Sequence, residues 1–367
     1  MRPYDPDSLP ITSIDWSAHV PLIGQANAAL ARYDGMLQSI VNPAILLSPL
    51  TAQEAVLSSR IEGTQASMEE VLEYEADPEE EIEPSKRSDI QEIINYRRAM
   101  GTAVERLRER PLCLNLFREL HAILLDSVRG RNKAPGEFRR SQVYIGPPGA
   151  PIEKATFVPP SADRVSPALD NWEEYLHYDE KDRLVQLAVV KAQFEIIHPF
   201  LDGNGRMGRM LVPLYMFDRG LLSSPMFYLS AYLEEHRDVY YERLLAVSRD
   251  GDWNGWISFF LTAVVEQAAV NTEKTREILA LHERMKAELP TVVRSQYAIH
   301  AVDALFDRPI FRIGDFIQRS GIPAASARRI LNALREKGRL RDLRPGKGRR
   351  AAILIFPELM NITEGRR

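Results

Sequence analysis

A single cysteine, Cys113, is all that the sequence holds, which excludes an internal disulfide and any cysteine-rich zinc site and fits a reducing compartment. Long apolar runs are missing as well, and nothing approaches the roughly 18 residues that a membrane helix requires. The opening MRPYDPDSLP has neither the basic start nor the apolar stretch of a signal peptide. These absences lead us to expect a cytoplasmic chain with no membrane partner. No internal repeat is visible. What remains is ordinary for a globular protein, 45% apolar and 27% charged, and 367 residues suffice for two or three domains.

Charge is unevenly spread. From Pro290 to Arg367 there are 16 Lys+Arg against 7 Asp+Glu, so this part carries +9, while the whole chain is at -4 and the remainder at -13. A basic C-terminal part behind an acidic body has the charge to touch nucleic acid; a solvated charged face is the other reading.

Helical patterns dominate the chain. Ile23 to Leu37 and Thr51 to Ser59 read as helices, and the acidic, proline-containing stretch EADPEEEIEPSKRSD from Glu75 reads as a connecting loop. Helices follow from about Ile90 to Arg108 and from Cys113 to Ser127. Between Asn132 and Pro160 short β-prone pieces, Gln142 to Ile145 and Thr156 to Val158, predict a hairpin projecting from a helical body. The segment from Leu184 to Ile197 is apolar nearly all round and should be a central buried helix.

That helix runs into HPFLDGNGRMGR, His198 to Arg209, the densest group of anion-handling residues in the chain. Pro199 disfavours helical geometry at His198 and ends the helix there. A second apolar helix, from Gly205 or Arg206 to Phe217, is capped by Gly220. LDGNG is thus a tight loop opening onto a helix N-terminus, where unpaired N–H groups and the dipole favour an anion. Gly203 and Gly205 let the backbone approach it, and Arg206 and Arg209, three apart, share a helix face and can fork onto phosphate oxygens. Asp202 offers the hard oxygen that Mg²⁺ prefers when it bridges phosphates. His198 is suited to take a proton near neutral pH.

The segment fits HPFx(D/E)GNGRxxR at every specified position, and by it the chain resembles the Fic family, whose members mostly transfer AMP from ATP to a protein hydroxyl. The resemblance implies His198 as base for a Tyr, Ser or Thr hydroxyl and Asp202 as the Mg²⁺ ligand. It implies the amides of Gly203, Asn204, Gly205 and Arg206 as the phosphate cradle, continued by Met207 and Gly208, with Arg206 on the phosphate chain and Arg209 on the γ-phosphate. SSRIEG, Ser58 to Gly63, resembles the family's inhibitory motif (S/T)xxxE(G/N), so Ser58, Glu62 and Gly63 are expected to form a brake in which Glu62 pairs with Arg209 in place of the γ-phosphate. Val143, Tyr144, Ile145 and Gly146, with Lys154 to Val158, resemble the flap that holds the target by strand addition. Tyr240, Tyr241, Leu244 and Ser248 stand where relatives line the adenine and ribose, although Ser248 replaces a common Asn.

The C-terminal stretch FRIGDFIQRSGIPAASARRILNALREKGRLRDLRPGKGRRAAILIF reads as an apolar helix, a Ser-Gly-Ile-Pro turn, a helix from Ala324 to Lys337, a basic loop and the β-like run Ala351 to Phe356. This is the pattern of a helix-turn-helix with a wing, in which Arg328, Arg329, Arg335, Lys347, Arg349 and Arg350 are placed to meet phosphates; such modules also serve protein contact or dimerisation. The expected fold is mainly α: a Fic-type helical bundle with a β-hairpin flap and a C-terminal winged helix. The expected division is 1–88 with the inhibitory motif, 89–270 as the catalytic core and 271–367 as linker helix and winged helix. Expected partners are ATP and a protein bearing an acceptor hydroxyl; a homodimer is a family-based expectation. A DNA-binding regulator with a nucleotide-sensing body, AMP removal and transfer of another phosphate-containing group stay open as alternatives.

Overall fold

The computed structural model describes residues 2–127, 129–147, 149, 151–346 and 350–366. In chain order the helices are α1 (Trp16–Gln38), α2 (Pro43–Leu46), α3 (Ser48–Ile61), α4 (Met68–Ala76), α5 (Pro84–Arg106), α6 (Leu114–Leu124), α7 (Ala162–Leu176) and α8 (Arg183–Ile197). They continue with α9 (Asn204–Asp218), α10 (Ser230–Glu235), α11 (Arg237–Asp250), α12 (Trp253–Val293) and α13 (Ala298–Asp307). Strand β1 (Ile310–Arg312) precedes α14 (Ile313–Ser320) and α15 (Ala324–Glu336), and β2 (Arg341–Arg344) and β3 (Ile353–Ile355) precede α16 (Pro357–Glu364). The chain divides into two compact units: Met1–Gly35, Leu57–Thr64 and Gln91–Ala269 form one, and Met36–Val56, Gln65–Ile90 and Val270–Arg367 the other.

The first unit is built around α8. Its apolar sequence has no polar stripe, and in the fold Leu184, Val185, Leu187 to Val190, Phe194 and Ile197 are all buried. Asp182 caps its start, accepting from the amides of Leu184 and Val185 at 2.9 and 3.0 Å, so its first unpaired donors are satisfied. Indole N–H groups reach α8 from two neighbours: Trp172 of α7 donates to the Val190 carbonyl and Trp256 of α12 to that of Ala188. Buried Gln186 donates to the carbonyls of Tyr175 and Tyr178 and accepts from the Tyr215 hydroxyl, tying α7, α8 and α9 together. Held by these bonds from α7, α9 and α12, α8 is a fixed post, and its C-terminal end carries the His198 loop.

The second unit contains a three-stranded antiparallel sheet in the order β1-β3-β2. β3 is buried along its whole length, as its apolar sequence requires. The acidic stretch from Glu75 departs from the expected loop: α4 runs to Ala76, α5 starts at Pro84, and only 77–83 lie between. Pro84 is tolerated because the first helical residue has no intrahelical N–H bond to lose. α4 is fixed by a reciprocal cap between Ser67 and Glu70. Asp77, just beyond it, is buried and paired with both Arg312 and Arg344, and Arg344 also meets Glu80 at 2.5 Å.

The predicted hairpin also shrinks. Ile145 and Phe157 form one isolated antiparallel bridge, with the Ile145 amide donating to Phe157 at 2.8 Å and the Thr156 amide to Ile145 at 2.7 Å, while Ile152–Lys154 is a short 3₁₀ turn. The β-prone pieces are too short, and too exposed on the 143–146 side, to extend the ladder. Among the described residues no helix is long and apolar enough to cross a membrane.

Candidate active site

His198 lies just past the end of α8 with φ 51, a left-handed conformation, and Pro199 after it bars the helix from continuing. Three side chains clamp the loop that follows. The Asn204 side chain accepts from the Phe200 amide and donates to the Phe200 carbonyl, both at 2.9 Å, closing the turn on itself. His121 of α6 stacks flat on Phe200, centroids 3.7 Å apart. The Gly136 amide donates to His121 Nδ1 at 2.9 Å, so Nε2 carries the proton and donates to the Asp202 carbonyl at 3.0 Å. Burial holds His121 neutral, with its pKa pulled down to about 4. The third is Arg139, whose Nε donates to the His198 carbonyl at 2.8 Å.

Gly203, at φ 77, is the residue before α9, and a side chain is strained there. The first-turn amides of Asn204, Gly205 and Arg206 have no intrahelical acceptor and form the positive end of α9. His198 Nδ1 lies 3.3 Å from the Glu195 carbonyl. A carbonyl only accepts, so Nδ1 is the protonated nitrogen and Nε2 keeps its lone pair. Burial is the main cause that lowers the His198 pKa, which keeps the ring neutral at pH 7.

The two arginines of α9 have different surroundings. Arg206 donates to Glu92 at 3.0 Å and to Asp202 at 3.3 Å, and its buried Nε has no partner among the described residues. Arg209 is buried; it donates from Nε to the Ser58 hydroxyl and from Nη2 to the Ser58 carbonyl, both at 2.9 Å, and from Nη2 to Glu62 Oε1 at 2.5 Å. Ser58 and Glu62, four apart, share one face at the end of α3, which is why both reach one guanidinium. Gly63, at φ 100, turns the chain away beyond them. Burial would raise the Glu62 pKa, but the Arg209 charge overrides it and the carboxyl stays below its usual range. A methyl group on Gly205 would overlap Glu62 Oε1, so this carboxylate sits directly over the first turn of α9.

Beneath them, fully buried Lys191 contacts Glu195 and donates to the Tyr240 hydroxyl at 3.0 Å, and Tyr240 donates to the other Glu195 oxygen at 2.6 Å. This corrects the expectation for Tyr240, whose ring is 0% exposed and packs in the core. Its neighbour Tyr241 is 43% exposed and feels the charges of Glu62 and Arg209. Leu244 and Ser248 are half-buried, and Ser248 donates its hydroxyl to the Leu245 carbonyl at 3.0 Å. Tyr144 and Ile145 are exposed and Gly146 is open, with Val143 half-buried.

Among the described residues no group of three or more His, Cys, Asp and Glu could cage a metal ion. The Asp202 carboxylate is 45% exposed and accepts from the Gly203 amide at 2.5 Å. A lone, open carboxylate beside an anion site fits a cation such as Mg²⁺, which takes most of its oxygens from phosphate and water.

His121, Glu92, Arg139, Lys191 and Glu195 escaped the sequence reading. Lys191 and Glu195 carried a signal, a base and an acid four apart in a nearly apolar helix. Of the basic C-terminal candidates, Arg328, Arg329 and Arg350 are exposed and Arg335 pairs with Asp342 at 2.6 Å, while Lys347 and Arg349 lie outside the described residues.

A left-handed histidine beside a glycine-opened helix N-terminus with two buried arginines has the geometry of an anion site on a helical scaffold. The profile "Fic/DOC family N-terminal" matches residues 20–105 and "Fic/DOC family" residues 111–216, together just over half of the 367 residues. The chain belongs to the Fic/DOC family. It is 25% identical over 185 residues to "Protein adenylyltransferase Fic" of Drosophila grimshawi, covering 48% of this chain and 32% of that protein. Against the protein of that name from Aedes aegypti it is 31% identical over 147 residues, 38% of this chain and 25% of the other. It thus spans about a third or less of these curated relatives. In fold it is similar to a Fic family protein from Desulfovibrio desulfuricans, with TM-score 0.59, 20% identity, and coverage of 96% of this chain and 98% of that one. It is also similar to Fic-1 of C. elegans, with TM-score 0.54, 16% identity, and coverage of 71% and 72%.

Proposed function

We propose that this protein transfers AMP from ATP to a Tyr, Ser or Thr hydroxyl of a protein, and that Glu62 restrains it. The observation that carries the reading is the Glu62 carboxylate, seated over the first turn of α9 and bonded to buried Arg209 at 2.5 Å. An anion already occupies the place that the geometry prepares for one.

With the restraint lifted, the phosphate chain lies on the α9 amides, with Arg206 and Arg209 donating to it. His198 Nε2 accepts the proton of the acceptor hydroxyl as that oxygen bonds the α-phosphorus. The bond from the α-phosphorus to the bridging oxygen breaks, and pyrophosphate leaves with the electron pair. Asp202 would hold Mg²⁺, which when bound neutralises charge on the phosphates. Little covalent work falls to the protein; it positions and stabilises charge. The largely exposed 143–146 leg is the edge beside which a target segment would lie. Glu62 competes with the γ-phosphate for Arg209.

The test is incubation with α-labelled ATP, Mg²⁺ and lysate of the native protein, Glu62→Gly and His198→Ala. Weak label, strong label and none are expected in that order. No label with Glu62→Gly, and γ-labelled product instead, would replace AMP transfer by a kinase-like reaction.

For the second unit, a winged-helix reading is supported by α14, the turn at Gly321, α15 and the antiparallel pair β2–β3, with Arg328 and Arg329 exposed on α15. A salt-dependent gel shift with duplex DNA tests nucleic-acid contact, and its absence assigns the module to protein contact.

A further inference from the structure

Arg139 is a buried arginine, 3% exposed, and its described side-chain hydrogen bonds all go to backbone carbonyls. Nε donates to His198 at 2.8 Å; one terminal nitrogen donates to Ser141 at 3.1 Å; the other donates to Pro160 at 2.6 Å and to Ile197 at 3.3 Å. Its own amide donates to the Pro199 carbonyl at 2.8 Å. Ser141 stands just before the leg Gln142–Ile145, and Pro160 just after the leg Thr156–Pro159. Ile197, His198 and Pro199 are the end of α8 and the turn that carries the base. One guanidinium therefore holds both feet of the Ile145–Phe157 bridge and the backbone of His198 at once. Gln142 adds a weaker link between the feet, donating to the Pro159 carbonyl at 2.9 Å.

The choice of residue follows from this geometry. Four carbonyls arranged around one plane need a fork of fixed N–H directions, which arginine has and lysine lacks. Burial pulls the Arg139 pKa down to about 10, which leaves it charged at neutral pH. The carbonyl dipoles offset a desolvation cost that an apolar residue would avoid, so stability alone does not explain the charge. His198 is held off the helical path, and its carbonyl would otherwise be an unpaired acceptor.

We propose that Arg139 is a positioning residue that makes the acceptor-holding segment and the His198 base one rigid body, fixing the distance from target hydroxyl to Nε2. This rests on the AMP-transfer reading above. A shift of about 1 Å between acceptor and base costs on the order of a hundredfold in rate, while ATP held by α9 is untouched.

The experiment compares Arg139→Lys and Arg139→Met in the full chain, each with and without Glu62→Gly. Amide hydrogen exchange is expected to quicken together at Ile145, Thr156 and Phe157 and at His198 in both variants. In the Glu62→Gly background kcat for transfer should fall at least tenfold with KM for ATP within about twofold, the lysine variant being no better than the methionine one. Exchange that quickens at only one of the two places, or kcat per folded molecule that stays unchanged, overturns the proposal. Should the methionine variant fail to fold, the lysine variant decides it, since it keeps the charge and loses the fork. The exchange readout needs no activity, so a chain that transfers no AMP still shows whether the tie exists.

Discussion

Replacing Glu62 by glycine perturbs the site at one atom pair, and its size can be worked from the contacts. Arg209 gives Glu62 one charge-assisted hydrogen bond at 2.5 Å and gives Ser58 two at 2.9 Å, so the deletion removes one of three acceptors. Such a bond contributes about 1.5–3 kcal/mol. The Glu62 side chain is 37% exposed, and solvent screening puts this one near the lower end. If bound ATP must displace the carboxylate before reacting, its removal lowers the barrier by that amount, about 10- to 100-fold in rate. The same change leaves the Arg209 charge with Ser58 alone, so the ligand-free protein should lose about 1–2 kcal/mol and a few degrees of thermal midpoint. ATP at a hundredfold excess over its Kd then returns about 2.7 kcal/mol. Label transfer from α-labelled ATP and the midpoint with and without ATP are measured on native protein, Glu62→Gly and Glu62→Gln. The amide keeps a hydrogen bond and loses the charge, so it should fall between the other two. A glycine variant that binds ATP, is destabilised as expected and transfers no faster than native protein would refute the reasoning.

Four further outcomes follow from the same contacts. His198→Ala should abolish transfer in the Glu62→Gly background, by at least about a thousandfold, while the ATP-induced rise in midpoint persists; loss of that rise would move His198 from proton transfer to nucleotide binding. Ser58→Ala removes the Nε acceptor and weakens the hold on Arg209 by about 1 kcal/mol, so basal transfer should rise roughly fivefold; unchanged transfer would leave Glu62 as the whole restraint. His121, depressed to about 4 in the fold against 6.5 unfolded, contributes stability that is complete above pH 6.5 and withdrawn as pH falls toward 4. Urea unfolding of native protein should therefore lose on the order of 3 kcal/mol more than His121→Asn over that window, and parallel curves would contradict the assignment. In the second unit Asp77→Asn strips the buried partner from Arg312 and Arg344 and should cost about 3–5 kcal/mol by chemical denaturation; a cost below about 1 kcal/mol would show the cluster to be hydrated.

What the sequence made legible and what it hid divide by sequence distance. HPFLDGNGRMGR is readable because its contacts are local: Asn204 closes on Phe200 and Asp202 on the Gly203 amide. Ser58 and Glu62 are readable for the same reason, since a spacing of four fixes them on one helix face before their partner is known. The central helix α8 could be placed to within a residue because apolar character on every side has one solution in a helical body. Tyr240 was misread because an aromatic at helical spacing looks the same whether it faces a ligand or, as here, a buried Lys191 and Glu195. The acidic stretch from Glu75 is a loop only over 77–83; its later part enters α5 because Pro84 suits a first helical position, which its proline-containing, acidic composition masked.

The same divide explains why the family motif alone underdetermines the site. Chemistry is written in the motif, but the orientation of every group in it is set from elsewhere. His121, 81 residues from its partner, holds the Asp202 carbonyl; Glu92, 114 residues from Arg206, aims that guanidinium; Arg139, 59 residues from His198, holds the base. None of these is distinguishable in the sequence from an ordinary buried histidine or surface charge. Each uses up a donor or acceptor that the motif would otherwise leave pointing at random, and each has its hydrogen bonds directed at backbone or at one named atom. On the proposed AMP-transfer reading, a chain that kept the twelve motif residues and lost these three would retain the groups that bind phosphate and lose the angle between base and phosphate. The two losses separate in kinetics, because the first is read in KM for ATP and the second in kcat.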